Sequence, residues 1–80
     1  MKIQLLFFAH LKDRAHTPSV QLDDLPVACT VERLVTHLER KYEGLGLQGV
    51  RFACNEEFVD SHHVLEDGDV VALIPPVTGG

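Results

Sequence analysis

Val31, Leu34, Val35, Leu38 and Tyr42 fall at helical spacing and make one apolar stripe in the middle of a chain of 80 residues. Short runs of β character flank it on both sides. Thr30 supplies an N-cap, and Glu32 complements the positive end of the helix dipole. Arg40 and Lys41 occupy the last turn, and Gly44 is placed to supply the left-handed C′ position. In a chain this short, a sheet covered by a single helix is the natural two-layer solution.

The strands are read from alternation and turn residues. Residues 1–9 place Ile3, Leu5 and Phe7 on one face and Lys2, Gln4, Leu6 and Phe8 on the other. A single turn follows over residues 10–16, with Leu11 and Ala15 four apart. Residues 19–22 form a second strand, bracketed by Pro18 and Pro26. After the helix, Gly44, Gly46 and Gly49 mark a loop. Residues 50–54 and 57–59 read as two strands around a turn at Asn55-Glu56, and residues 62–65 as a connector. Glu66-Asp67-Gly68-Asp69 signals a turn into a final β-rich strand, residues 70–74.

This order predicts an α+β fold of the β-grasp (ubiquitin-like) kind. A mixed sheet packs on one main helix, with the first and last strands central. The domain spans residues 1–74, followed by an extended tail, residues 75–80. If Ile3, Leu5, Phe7, Val71 and Leu73 face the helix, then Leu6, Phe8, Ala72 and Ile74 face outward, with Phe58 beside them. Such a patch marks a docking site for a protein partner unless edge loops cover it.

The end of the chain is unlike the rest. Pro75 and Pro76 remove two backbone donors and stop both helix and sheet ladder. Val77, Thr78, Gly79 and Gly80 follow as a solvated arm. Residues 75–80 reach about 20 Å when extended. The α-carboxylate of Gly80, with an ordinary pKa of about 3.5, is an anion near neutral pH.

The formal net charge of −5 comes without a basic stripe, which argues against nucleic acid as a partner. An acidic surface suits either solubility or docking on a basic protein. No apolar run reaches the length of a membrane span, and no leader is evident, so the expected location is the cytoplasm. Cys29 and Cys54 lie in apolar surroundings without C-x-x-C spacing and are expected to be buried free thiols. His62-His63 comes without acidic or Cys ligands at a supporting spacing, so no metal is assigned. Asp67-Gly68-Asp69 lacks the rest of a calcium loop. No nucleophilic triad or phosphate loop is indicated, so the chain catalyses nothing alone and binds no cofactor of its own.

Leu6-Phe7-Phe8-Ala9, Asn55 in the middle hairpin, and above all the run from Leu65-Glu66-Asp67-Gly68-Asp69 through Pro75-Pro76-Val77-Thr78-Gly79-Gly80 carry a family likeness over nearly the whole chain. The sequence resembles the small subunit of molybdopterin synthase, a sulfur carrier of the ubiquitin-like superfamily. His16, where the family often has glycine, and Cys54, where an aliphatic residue is common, depart from the pattern. The resemblance implies that an adenylating enzyme of the ubiquitin-activating kind uses ATP to activate the Gly80 carboxylate. A sulfur donor then leaves a thiocarboxylate there. The large catalytic subunit, joined in a heterotetramer, passes that sulfur to a pyranopterin precursor. Gly79, Thr78, Val77, Pro76, Pro75, Ile74, Phe58 and Phe8 are the expected partner contacts. Lys12 falls where the family has a basic residue near the partner, and equally suits a solvated position. A carrier of the thiamin type, a ubiquitin-like modifier joined through Gly80 to a lysine, and an inert interaction module with an incidental Gly-Gly are the competing readings.

Overall fold

In the computed structural model of the chain, which describes residues 1–76, β1 (Ile3–Phe7) has the burial alternation its sequence predicts. Ile3, Leu5 and Phe7 are buried, and Gln4 and Leu6 are half-buried on the opposite face. β1 pairs antiparallel with β2 (Ser19–Leu22) and parallel with β5 (Val70–Ile74). Beyond β5, the hairpin of β3 (Arg51–Cys54) and β4 (Glu57–Val59) completes a five-stranded sheet of order β2-β1-β5-β3-β4. A parallel central pair with antiparallel flanks and one main helix is the β-grasp arrangement.

The chain leaves β1 sharply. Ala9 has φ 52°, and the short helix α1 (His10–Ala15) begins directly after it, with Leu11 and Ala15 turned inward. His16 ends α1 in the left-handed region at φ 61°, ψ 25°. That is the conformation glycine adopts without steric cost.

α2 (Val31–Lys41) starts where expected. The Thr30 hydroxyl accepts a hydrogen bond from the Arg33 N–H at 3.3 Å. Two further N–H groups of the first turn, from Val31 and Glu32, donate to the carbonyls of His63 and Ser61, each at 3.0 Å. The loop between β4 and β5 therefore satisfies helix donors that have no intrahelical partner. Val31, Leu34 and Leu38 join Ile3, Leu5, Phe7, Val71 and Leu73 in one core. Burying each leucine contributes roughly 1.5–3 kcal/mol.

The helix ends differently from the expectation. Tyr42, not a glycine-closed turn, follows Lys41, with extended backbone at φ −120°, ψ 91°. Gly44 comes later, at φ 77°, in a turn closed by the Leu45 N–H to the Tyr42 carbonyl at 3.2 Å. Positive φ is what the third position of a type II turn requires. The Tyr42 ring, half-buried, meets Phe7 edge-on, with centroids 5.8 Å apart. This aromatic contact, rather than a left-handed cap, ties the end of the helix to the end of β1.

Asn55 and Glu56 both have positive φ, 50° and 74°. They form the two-residue loop between paired Cys54 and Glu57. Two left-handed central residues are the signature of the type I′ hairpin, whose twist matches the strands it joins.

Candidate functional site

The face of the sheet turned away from α2 is the site that the fold builds. Its register is continuous. Ser19 lies opposite Leu6, Leu6 opposite Ala72, Ala72 opposite Ala53, and Ala53 opposite Phe58. One row thus crosses all five strands, and it is apolar from β1 to β4. A second row places Arg51 opposite Ile74. Since side chains alternate along a strand, Val70, Ala72 and Ile74 share this face, while Val71 and Leu73 enter the core.

Phe58 is 56% exposed and Phe8 48%, both high for phenylalanine. Ile74 and Leu6 are half-buried. Ala53 is buried even though it faces outward. Phe8 lies one residue past β1, and extending the β1–β5 register places it level with Ile74. The structure therefore gathers Phe8, Ile74 and Phe58 around the end of β5. Arg51 was not among the expected residues. Its guanidinium carbon stands 3.9 Å from the centroid of the Phe58 ring, a cation–π contact. Alternation in residues 50–54 could have placed Arg51 and Ala53 on the face of Phe58.

Pro75 is half-buried and Pro76 exposed. A Cβ on Gly49 would stand 3.6 Å from the Pro76 ring, so the loop before β3 flanks the path out of β5. The expected contacts Val77, Thr78, Gly79 and Gly80 lie outside the described residues. Lys12 is exposed on α1.

The turn that feeds β5 is organised by Asp69. Its carboxylate, 9% exposed, accepts the Glu66 N–H at 2.8 Å, the Asn55 side-chain N–H at 2.9 Å and the Cys54 thiol at 3.3 Å. Asn55 in turn accepts the Val70 N–H on its side-chain oxygen at 3.0 Å. Burial alone would push the Asp69 carboxyl up. The Glu66, Asn55 and Cys54 hydrogen bonds and the charge of His63 outweigh it and hold the group below its ordinary value. Burial, with the nearby Asp69, Glu66 and Glu57 carboxylates, pushes the Cys54 thiol up to about 11. Cys29 is raised too, mainly by burial. Both cysteines are free and buried, so neither is an activated nucleophile. The absence of ligands near His63 in linear spacing does not hold in three dimensions. Cys54, His63 and Asp69 bring one ligand atom each within 4.8 Å of the others.

Residues 5–80 match the ThiS family. The chain belongs to that family. Along its full length, and over 92% of the relative, it is 36% identical to the molybdopterin synthase sulfur carrier subunit of Drosophila simulans. A putative molybdopterin converting factor, subunit 1, from Pyrococcus furiosus superposes with a TM-score of 0.86 at 25% identity, covering 96% of this chain and 99% of that one. A chain in the complex of subunits 1 and 2 of the molybdopterin-converting factor from Helicobacter pylori superposes with a TM-score of 0.72 at 30% identity, with both chains fully covered. These superpositions agree with the mixed sheet described above. Among the described residues, no helix is long and apolar enough to cross a membrane.

Proposed function

We propose that this chain is the sulfur-carrier subunit of a molybdopterin synthase, working in the cytoplasm. The observation that carries the reading is the apolar outer face of β5, edged by Phe58 and Phe8. It ends at Ile74, from which the sequence runs on to Gly79-Gly80. Family membership and full-length similarity to named sulfur carriers supply the chemical context.

The body is the docking element and residues 75–80 are the delivery element. A carboxylate is a poor electrophile. An adenylating enzyme therefore joins a Gly80 carboxylate oxygen to the α-phosphorus of ATP, releasing pyrophosphate. A sulfur donor displaces AMP and leaves a thiocarboxylate. Splitting the transfer in this way replaces one difficult step with easier ones. The carrier then docks on the large subunit, where a pyranopterin precursor receives the sulfur, in an assembly proposed to be a heterotetramer. Two glycines let the backbone approach nucleotide or pterin without a Cβ in the way. Ordering the segment costs roughly 1–2 kcal/mol per residue. Pro75 and Pro76 reduce that cost, and docking through Phe58, Ile74 and Phe8 offsets the rest.

The test is the intact mass of the protein purified from its own cells, together with a variant lacking Gly80. Exchange of one oxygen for sulfur at the C-terminus, lost in the shortened variant, supports the carrier. Covalent ladders on target proteins, with no such exchange, would replace it with the modifier reading. Co-purification with a thiamin-pathway partner instead of a molybdopterin synthase large subunit would reassign the pathway.

A further inference from the structure

We propose that Cys54, His63 and Asp69 form a binding site for a divalent metal ion of borderline softness, with Zn²⁺ as the best match. The three residues come from separate segments. Cys54 ends β3, His63 lies in the loop after β4, and Asp69 closes the turn into β5. Their sulfur, ring nitrogen and carboxylate oxygen all lie within 4.8 Å of one another.

The sulfur–oxygen spacing suits tetrahedral coordination. Zn–S near 2.3 Å and Zn–O of 2.0–2.2 Å at tetrahedral angles put sulfur and oxygen about 3.5 Å apart. The Cys54 sulfur and an Asp69 oxygen are 3.3 Å apart. A mixed S, N, O set selects Zn²⁺ or a similar ion over Ca²⁺ and Mg²⁺, which favour oxygen alone.

The surroundings hold the ligands for this role. The Asp69 carboxylate is already oriented by the Asn55 side-chain N–H and the Glu66 backbone N–H, the outer support that tunes metal ligands. The His63 backbone is fixed on both sides. Its N–H donates to the Asp60 carbonyl at 3.2 Å, and its carbonyl accepts from Val31 at 3.0 Å. Glu57 and Glu66 line the same cleft, and neither lysine nor arginine does. The local field thus favours a cation, and a carboxylate or water can fill the fourth position.

Binding replaces the thiol–carboxylate hydrogen bond with two metal bonds. The Cys54 S–H bond breaks, the sulfur keeps the electron pair and donates it to the ion, and the proton leaves to solvent.

The test is a titration of the full chain with Co²⁺, which reports thiolate coordination as a near-ultraviolet charge-transfer band and tetrahedral geometry as intense visible bands. Zn²⁺ should displace the signal. Cys54→Ser should abolish the charge-transfer band, Cys29→Ser should leave it intact, and His63→Ala should weaken Co²⁺ affinity at least about tenfold. His63 is half-buried and outside the strands, so that variant remains informative where Cys54→Ser disturbs packing. A wild-type protein without the band overturns the proposal. So does a band that persists in Cys54→Ser, disappears in Cys29→Ser, or keeps its affinity in His63→Ala.

Discussion

Arg51 lies over Phe58, with its guanidinium carbon 3.9 Å from the ring centroid. The two residues sit diagonally across the β3–β4 pair, because Ala53 is the direct partner of Phe58. Arg51 is also opposite Ile74 on β5. One arginine therefore bridges the exposed ring at the sheet edge and the last residue of the strand that leads to the C-terminal segment. A planar cation suits this place because it covers an aromatic face without closing it to a partner.

The Phe58→Asp variant should separate docking from folding. Phe58 is 56% exposed on the short edge strand, so losing the ring leaves the core intact. The expected loss in affinity for the large subunit is about 2 kcal/mol, the scale of an aromatic anchor at an interface. Calorimetric titration checks it, alongside a thermal melt that should move by only a few degrees. Unchanged affinity would place the contact on another face.

His16→Gly should raise stability. A residue with a Cβ at φ 61° carries a strain of roughly 1–2 kcal/mol. Glycine removes it but returns part of the gain as unfolded-state entropy, about 0.5–1 kcal/mol. The net expectation is about 0.5 kcal/mol, or roughly 2–4 °C in Tm for a domain this small. His16→Val should move the other way, since β-branching tolerates this region poorly. Paired thermal melts of the two variants would decide it.

Elements whose signal is local are legible in the sequence. Ile3, Leu5 and Phe7 alternate, Val31, Leu34 and Leu38 recur at helical spacing, and Thr30 caps the helix, each within one segment. Those patterns led to the mixed sheet, the single main helix and the parity that turns Ala72 and Ile74 outward. Features made by separate segments were not legible. The end of α2 depends on Tyr42 meeting Phe7, two residues far apart in the chain, so the nearby Gly44 signals a cap that the helix does not use. Arg51 reaches Phe58 only once β3 and β4 are in register. Cys54, His63 and Asp69 converge only after a hairpin and two turns have closed. Spacing along the chain carries no trace of that convergence.

Asp69 should make part of the stability acid-sensitive. Its folded-state pKa is lowered, so its contribution is complete above the unfolded carboxyl value of about 3.9. It fades as pH falls through the lower folded value, because protonation puts a hydrogen among donors already aimed at the carboxylate. Asp69→Asn keeps the shape but turns an amide N–H₂ toward either the Asn55 donor or the Glu66 and Cys54 donors. The expected cost near pH 7 is about 2–3 kcal/mol for the buried hydrogen bonds left unmade. Wild type and variant should draw closer as pH falls through the lowered folded value, since the native carboxyl then loses the same interactions. Urea unfolding at pH 7 and at low pH measures the gap at each end. A difference that stays constant across that window would show that charge on Asp69 contributes nothing, and that its hydrogen bonds act as those of a neutral acceptor.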